Sequence, residues 1–296
     1  MSTGTVVINR TLRQLLSGVV ETKNKLAVAL SNTTGTSVVC SYDLDGLRAG
    51  AVFEIDSELF YVWEANSGTK TLTVERGWNG TTAATHSANA IITLNPRFPR
   101  SQILEALNDE LQDLSSPMHG LFQVKSFDVD YNGSDLFINL PPVADILDIL
   151  SIHVRVRSDD YRQIRKFKLV RDMPTDDFSS SFAIKFEQPA DNGRLRIVYK
   201  APFTALTAES QSLSNIAGLP LSCEDIVNLG VQIRMMAPRE LKRNFTESQG
   251  DTRRPDEVPS GAVTSSLGQL IRMRRDRITA EAARLQRQYP TFLTKD

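Results

Sequence analysis

The chain has 296 residues, 41% of them hydrophobic and 23% charged, a balance that excludes a wholly disordered or collagen-like protein. Its 34 basic and 35 acidic residues give a formal net charge of -1. A protein that coats nucleic acid over its whole surface is strongly basic, so any DNA contact must come from a local patch.

The counts of cysteine and histidine limit the chemistry further. Two cysteines and three histidines provide neither a disulfide framework nor a Cys/His cluster with zinc spacing. No apolar run approaches the length of a membrane helix, and Met1–Arg10 lacks the pattern of a signal peptide. We therefore expect a protein that folds in a reducing cytoplasm, with no cofactor, no metal and no membrane contact.

The first predicted element is a short helix over Thr11–Val20, where leucines recur at three- and four-residue spacing. Six short segments rich in Val, Ile, Thr and aromatic residues follow, separated by turns that contain Asn, Asp and Gly. These segments are Lys25–Leu30, Thr36–Ser41, Val52–Ile55, Leu59–Glu64, Thr69–Glu75 and Ala90–Leu94. Their regular spacing predicts a small antiparallel barrel or sandwich.

A second helix is predicted after Pro96 and Pro99, starting at Arg100 or Ser101. Its apolar stripe continues to Leu114. Four acidic residues are predicted to face away from that stripe: Glu105, Asp109, Glu110 and Asp113.

Six more β segments follow: Leu121–Val129, Leu136–Leu140, Asp148–Arg157, Gln163–Leu169, Phe182–Glu187 and Arg194–Lys200. Polar and apolar residues alternate strictly in Ser151–Arg157 and in Arg194–Tyr199, which is typical of strands with one buried and one wet face. We interpret this region as a second sandwich.

The remaining chain is predicted to be mostly helical. Ser222 is predicted to cap a helix that continues to Ala237 and is interrupted by Pro238. Glu247–Val258 is polar, with Gly, Pro and charge, which indicates a mobile linker or an extended arm. The last helix is predicted over Ser260–Gln288.

The element order predicts an α+β fold: a helical core built from separated segments, with two antiparallel β domains, one barrel-like and one a sandwich. The predicted divisions are an N-terminal helix 1–24, a small β-barrel-like domain 25–95, a core helix 96–117, a β-sandwich domain 118–202, a helical core 203–246, a linker or arm 247–259, and a basic C-terminal helix with a tail 260–296.

Catalytic motifs are missing from the sequence, which has no phosphate-binding loop, no G-x-S-x-G and no H-E-x-x-H. His86 lies in a run of small residues and is interpreted as a surface-loop histidine rather than a base. Asp128 and Asp130 have glycosidase chemistry in principle, but paired acids on one strand face are commonly solubilising. We expect no catalytic residue and no enzyme activity.

The strongest local signal is the last helix, which combines an intermittent apolar side with many arginines. One interpretation is a solvated helix face; the other is docking onto an acidic partner or lining a path for DNA phosphates. The candidate docking residues are Leu267, Leu270, Ile271, Arg272, Arg274, Arg275, Arg277, Ile278, Arg284, Leu285, Arg287 and Tyr289. The four acids of the second helix are candidates for pairing with this basic helix between neighbouring subunits.

Several stretches resemble structural proteins of tailed-phage virions. Leu72–His86, entered through Phe53–Val62, is similar to a small β module common in such proteins, and Pro99–Leu111 looks like the helix that follows that module. Leu219–Val231 and Ala280–Pro290 resemble the helical part of phage head-to-tail adaptor (connector) proteins.

The resemblance implies a non-enzymatic virion protein of the neck, made in the host cytoplasm. It implies a homo-oligomeric ring, twelvefold by resemblance, between the portal protein and a downstream tail or nozzle protein. It also implies that the helix Ser260–Gln288 docks on the portal and that the lumen passes genomic DNA with non-specific contacts. Head-to-tail contacts between identical subunits close into a ring when the rotation fits.

An alternative is a tail or baseplate protein whose β domains bind host carbohydrates. Exposed aromatic residues such as Trp63, Trp78 and Tyr131 would then contact the glycan. Weak glycan affinity and trimeric rather than ring symmetry would distinguish this alternative.

Overall fold

The computed structural model describes residues 2–140, 146–157, 160–248 and 262–290. Within them lie four α-helices: α1 (Gly4–Leu15), α2 (Arg100–Leu114), α3 (Glu224–Ser248) and α4 (Ala262–Gln288). The strands in the same residues are β1 (Lys23–Lys25), β2 (Ser37–Val39), β3 (Val52–Ile55), β4 (Glu58–Asn66), β5 (Thr71–Glu75), β6 (Ile91–Leu94), β7 (Gln123–Tyr131), β8 (Phe137–Asn139), β9 (Asp148–Arg157), β10 (Asp160–Ile164), β11 (Phe167–Val170), β12 (Ala183–Phe186) and β13 (Gly193–Ala201). The predicted α+β class with antiparallel β regions is confirmed.

The chain divides into two compact units, each assembled from segments that are far apart in sequence. The first unit comprises Met1–Asp109, Leu206–Ser212 and Val227–Ile271. The second unit comprises Glu110–Ala205, Leu213–Ile226 and Arg272–Asp296. Each unit therefore depends on contacts between distant parts of the sequence.

The first unit contains a six-stranded antiparallel sheet with the order β1-β6-β3-β4-β5-β2. Its two edge strands meet just beyond their ends, where Ala27 N–H donates to Val39 O at 2.8 Å and Ser41 N–H donates to Lys25 O at 2.8 Å. The sheet thus curls into a barrel-like form. Alternate apolar residues of the strands fill its interior.

Helix α1 spans Gly4–Leu15 rather than the predicted Thr11–Val20, so the predicted bounds are wrong. Its first N–H groups are satisfied by distant backbone: Gly4 N–H donates to Gln211 O at 3.0 Å. A Cβ on Gly4 would lie 2.8 Å from Glu209 O, so this close approach requires glycine. Because the helix starts on tertiary contacts without a side-chain cap, the sequence carries no local signal for its first residue.

Helices α1 and α3 contact each other in the first unit through a small polar network. The Thr11 hydroxyl donates to Asn228 Oδ1 at 2.8 Å. Gln14 Oε1 accepts from Asn228 Nδ2 at 2.9 Å and from Gln232 Nε2 at 2.6 Å. Helical segments separated by two β regions in the sequence therefore meet in space.

Helix α3 spans Glu224–Ser248 and passes through Pro238, so the predicted interruption at that residue is wrong. Proline removes one main-chain hydrogen bond from a helix, and here the residues that follow it keep the helical backbone. Ser222 lies within a 3₁₀ turn, Leu221–Cys223, so it is not the predicted helix cap. The predicted linker Glu247–Val258 lies outside the described residues from position 249 onward.

The second unit contains two antiparallel sheets, with the orders β10-β9-β13-β7 and β11-β12-β8. Residues from both sheets contribute to one apolar cluster, for example Ile152, Leu195 and Ile184. Two sheets that share one apolar core form a β-sandwich, as predicted for this region.

One predicted strand of the sandwich, Gln163–Leu169, is divided in the structure. β10 ends at Ile164 in the four-stranded sheet, and β11 begins at Phe167 in the three-stranded sheet. Core-facing residues occupy even positions before the crossing and odd positions after it, because Ile164, Phe167 and Leu169 all pack on the core. This change from even to odd positions shows where the chain crosses from the four-stranded sheet to the three-stranded sheet.

Candidate interaction surfaces

The apolar side of α4 is largely covered by the chain itself. Ile278 and Leu285 are 4% and 5% exposed, whereas Ile271 is 49% exposed. Three other predicted docking residues are half-buried: Leu267, Leu270 and Tyr289. Ile271 is therefore the most exposed of the apolar docking candidates.

Arg274 is turned toward the acidic side of α2, within the second unit. Its Nε donates to Glu110 Oε1 at 2.7 Å, and a terminal nitrogen donates to Asp113 Oδ2 at 2.5 Å. Glu110 is 1% exposed, buried like Leu107 and Leu114 of the apolar stripe, so the prediction that it faces away from that stripe is wrong. Burial lowers the pKa of Arg274, but the hydrogen bonds to Glu110 and Asp113 outweigh burial and raise that pKa. Two of the four acids predicted for subunit pairing are thus bonded inside the chain.

Two further arginines of α4 form ion pairs, one with α3 and one within α4 itself. Arg277 Nε donates to Asp225 Oδ2, in the first turn of α3, at 2.6 Å, and a terminal nitrogen donates to Ser222 O at 3.0 Å. The hydrogen bond from Arg277 lowers the pKa of Asp225. Arg284 Nε donates to Glu281 Oε2, on α4 itself, at 2.6 Å. These pairs occupy guanidinium groups that were predicted to contact a partner.

Three of the exposed docking arginines have no partner among the described residues: Arg272, Arg275 and Arg287. Their side chains form no hydrogen bond or ion pair with any other described residue. Ile271 and Met273, which are 49% and 55% exposed, flank Arg272. At about 3.6 residues per turn, Arg272 and Arg287 lie on the side of α4 away from Arg274, Met273 and Arg275 lie at the borders of that side, and Ile271 lies nearer to Arg274. We call these five residues the external face of α4.

Glu105 and Asp109 are the two predicted subunit-contact acids that remain exposed on α2. Their carboxylates form no ion pair or hydrogen bond with the rest of the described chain. They are four residues apart and therefore neighbours on one helix face. The candidate acidic surface is thus reduced to this pair.

A buried ionic cluster lies where β3 turns into β4. Arg76 Nε and a terminal nitrogen donate to the two oxygens of Glu58, each at 2.8 Å, and the side chains are 6% and 1% exposed. His86 Nε2 lies 2.9 Å from Glu58 Oε2, and His86 Nδ1 lies 2.8 Å from Asp56 Oδ2. His86 is 4% exposed, so its interpretation as a surface-loop histidine is wrong.

The charges of this cluster stabilise one another. Burial raises the pKa of Glu58, but hydrogen bonds from Arg76 and His86 outweigh burial and lower that pKa to about 2. Burial lowers the pKa of His86, but the carboxylates of Asp56 and Glu58 outweigh burial and raise it to about 9. Near neutral pH the cluster therefore holds two carboxylates against two cations.

The cluster fixes the loop Arg76–His86 against the barrel. Glu58 also accepts from Gly77 N–H at 3.1 Å and from Ala84 N–H at 2.9 Å. Gly77 and Asn79 have φ angles of 64° and 55°, in the left-handed region that favours glycine and asparagine. Each charged group is bonded to another member of the cluster, and Glu58 also binds main-chain N–H groups, so the arrangement holds the backbone of this loop in place.

Three aromatic side chains form a cluster on the outside of the barrel. Tyr61 lies between Trp63 and Trp78, with ring centroids 4.8 Å and 4.5 Å away. Trp63 is 59% exposed. Tyr131, the other predicted glycan contact, is 5% exposed and donates its hydroxyl to Asp135 O at 2.7 Å, so its predicted exposure is wrong. The candidate glycan surface is confined to the barrel.

A cavity of about 650 Å³ opens in the first unit beside the start of α2. Glu54, which is 5% exposed, accepts the main-chain N–H of Arg100 at 2.6 Å. Burial raises the pKa of Glu54 to about 8. The Arg100 guanidinium is bonded to Glu209 at 2.6 Å and to Asn9 Oδ1 at 2.8 Å. Capping of α2 accounts for Glu54 without a ligand.

No protein-family model matches the sequence, and no curated protein matches it. Among solved structures, the chain is similar to one described as the neck of an empty GTA particle, computed with C6 symmetry. The two chains are 13% identical; the match covers 58% of this chain and 79% of that chain, with a TM-score of 0.22. A TM-score this low does not indicate a shared fold or a shared function.

Asp128 and Asp130, which were considered for catalysis, are exposed on β7, and Asp128 lies 3.3 Å from Arg194 Nε. Among the described residues, no three His, Cys, Asp or Glu side chains are grouped so that they could hold a metal ion. In the same part of the chain, no helix has both the length and the apolar character to cross a membrane.

Proposed function

We propose that this chain is a structural, non-enzymatic virion protein: a head-to-tail adaptor that forms a ring in the neck. The ring would join the portal protein to a downstream tail or nozzle protein, and its lumen would pass genomic DNA. The proposal starts from the resemblance of Leu219–Val231 and Ala280–Pro290 to phage adaptor proteins. The observation that carries it is the external face of α4.

A helix that is fixed on one side and open on the other suits protein docking. Arg274 and Arg277 hold α4 against α2 and α3 through ion pairs. Little conformational entropy is then lost when a partner binds the other side. The arginines of the external face can form bidentate pairs with carboxylates of an acidic partner, and its two apolar residues add contact area. We assign portal docking to this face.

The test is binding of the full chain to purified portal rings from the same particle. The variant R272E/R275E is expected to weaken binding at low salt at least about tenfold, which is about 1.4 kcal/mol. Charge reversal replaces attraction by repulsion at the contact. The control R165E/K168E reverses two exposed charges of the sandwich and is expected to change binding less than about twofold. Unchanged binding by R272E/R275E would remove the main support for the proposal.

A second candidate function, a tail or baseplate protein that binds host carbohydrates, is favoured by the aromatic cluster. Trp63 offers an exposed indole, and Glu75 lies directly opposite Tyr61 across β4 and β5, where its carboxylate could accept hydroxyl hydrogens. A glycan array with the full chain and with Trp63→Ala tests it. Glycan binding that Trp63→Ala abolishes, together with trimers in electron micrographs, would favour this function over the adaptor ring.

A further inference from the structure

The outer face of the four-stranded sheet carries four basic side chains in a two-by-two arrangement at its centre. On the neighbouring strands β9 and β13, Arg155 lies directly opposite Arg194, and His153 lies directly opposite Arg196. The residues between them on both strands are buried in the sandwich core, so these four side chains are on the opposite face. We call these four residues the basic block.

Folding alone does not account for the basic block. Like charges directly opposite each other on neighbouring strands destabilise a sheet. The compensating contacts are exposed: Arg194 lies 3.3 Å from Asp128, with side chains 58% and 40% exposed, and the Arg155 guanidinium lies 6.0 Å from the ring centre of Tyr161. Exposed ion pairs contribute only about 0–1 kcal/mol. A partner with negative charge would relieve the repulsion between the arginines.

The residues directly opposite the block differ between its two sides, although Asp160, at the start of β10, is opposite Arg157 and lies 3.4 Å from Arg162. On β10, the residues opposite Arg155 and His153 are the neutral Tyr161 and Gln163. On β7, the residues opposite Arg194 and Arg196 are Asp130 and Asp128. Several other carboxylates lie in loops outside the strands: Asp172, Asp176, Asp177 and Asp191. The block therefore faces two carboxylates across β7 and two neutral side chains across β10.

We propose that the basic block binds the phosphate backbone of double-stranded DNA. Neighbouring strands lie about 4.8 Å apart and alternate residues about 6.6 Å apart, so the block covers a patch that successive phosphates can contact. A DNA duplex carries one negative charge per roughly 1.7 Å of its axis, and arginine is well suited to phosphate. The choice of duplex DNA as the polyanion rests on the proposed function, in which the ring passes the genome.

The binding is weak and independent of sequence. Three arginines and a histidine next to two carboxylates supply only a small excess of positive charge. Non-specific DNA complexes of this kind have dissociation constants of about 10⁻⁴ to 10⁻⁶ M at physiological salt. Weak contact is compatible with DNA that must slide past the protein during packaging or ejection.

The experiment is fluorescence anisotropy of a labelled mixed-sequence duplex of about 30 base pairs, titrated with the full chain from about 50 to about 200 mM salt. The variant R155Q/R194Q/R196Q is expected to weaken binding at least about tenfold at the lowest salt. Its plot of log K against log salt should be shallower by about 2.7 units, because each of the three lost phosphate contacts removes about 0.9. The single variant Arg196→Gln, which removes one exposed arginine, should reduce the slope by about one unit.

The matched control is R165Q/K168Q/K185Q, which removes three positive charges from the same sandwich but outside the block. It is expected to keep the affinity within about threefold and the slope nearly unchanged. Equal losses in both triple variants would mean that net charge, not the block, governs binding, and would overturn the inference. Absence of salt-dependent binding by the unaltered chain would overturn it as well. So would equal competition by polyglutamate of the same charge, because the face would then be a site for acidic proteins.

The outcome is separable from the proposed function. Location in the neck is read from electron micrographs of particles, whereas DNA affinity is read from the purified chain. A chain that binds DNA through the block but is absent from the neck would refute the adaptor function alone. A chain that sits in the neck but ignores DNA would refute this inference alone.

Discussion

Replacing Glu58 by Gln is expected to destabilise the barrel strongly, although the side chain keeps its size. The carboxylate accepts from Arg76, His86, Gly77 and Ala84, and the amide nitrogen of Gln cannot accept any of these bonds. Two buried cations then share less negative charge. Removing one partner of a buried ion pair costs about 3–5 kcal/mol, so we expect the free energy of unfolding of the barrel to fall by about 3 kcal/mol or more.

The assay is urea unfolding of the full chain followed by tryptophan fluorescence. The chain has two tryptophans, Trp63 and Trp78, and both lie on the barrel, so their emission reports unfolding of that region. The control Glu64→Gln removes an exposed carboxylate from the same strand as Glu58 and is expected to cost at most about 0.5 kcal/mol. A loss below about 1 kcal/mol for Glu58→Gln would refute the idea that these charges hold the loop.

The same urea assay, applied to the unaltered chain, tests how the stability of the barrel depends on pH. Folding raises the pKa of His86 from 6.5 to about 9, so its contribution is complete below 6.5 and is lost as the pH rises through 9. Folding raises the pKa of Glu54 from 4.5 to about 8, so its contribution to stability is likewise lost as the pH rises through 8. Glu58 acts in the opposite sense, and its contribution is lost only as the pH falls from 4.5 through 2. The urea midpoint should therefore fall between about pH 6 and about pH 9. A midpoint that is constant over this range would contradict the assignment.

Other substitutions test the packing and assembly of the helices. Arg274→Ala removes the buried ion pair between α4 and Glu110 of α2 and should weaken the anchoring of α4 by about 3 kcal/mol in hydrogen exchange. Arg284→Ala, at an exposed pair, should cost at most about 1 kcal/mol. Equal protection of α4 in both variants would contradict this. The double reversal E105K/D109K should shift the chain from rings to single subunits in sedimentation velocity, and rings that survive it would exclude these acids from the subunit contact. Gly4→Ala should lower the unfolding free energy by about 1–3 kcal/mol, because its Cβ would lie 2.8 Å from a main-chain oxygen, and a neutral effect would mean that the helix start can shift.

The β regions could be predicted from the sequence because their strands follow local rules. β3 has the predicted bounds Val52–Ile55, and β9 has the predicted bounds Asp148–Arg157. In both regions, alternating or continuous apolar residues end at turn residues, so the signal lies within the strand itself. The start of α2 was also predictable, since Pro99 precedes Arg100 directly.

The misplaced features depend on partners that are distant in sequence. Glu58 precedes Arg76 by 18 residues and His86 by 28, and no local pattern pairs them. The available signal was that Glu58 begins a strongly apolar strand, a position where a charged residue needs a partner. Glu110 and Arg274 are 164 residues apart. Their complementary helices were recognised from the sequence, but charge pattern alone does not tell whether opposite charges meet within one chain or between two.

The curled sheet of the first unit limits edge-to-edge association between copies of the chain. Because backbone bonds join the ends of β1 and β2, the barrel offers little unpaired edge to a neighbouring molecule. The sandwich is different, since β7 is a nine-residue border strand of its sheet. Asp128 and Asp130 on that border would face the same residues of another copy, and mutual repulsion would oppose strand-to-strand polymerisation. Many copies could then accumulate side by side without forming β-linked aggregates.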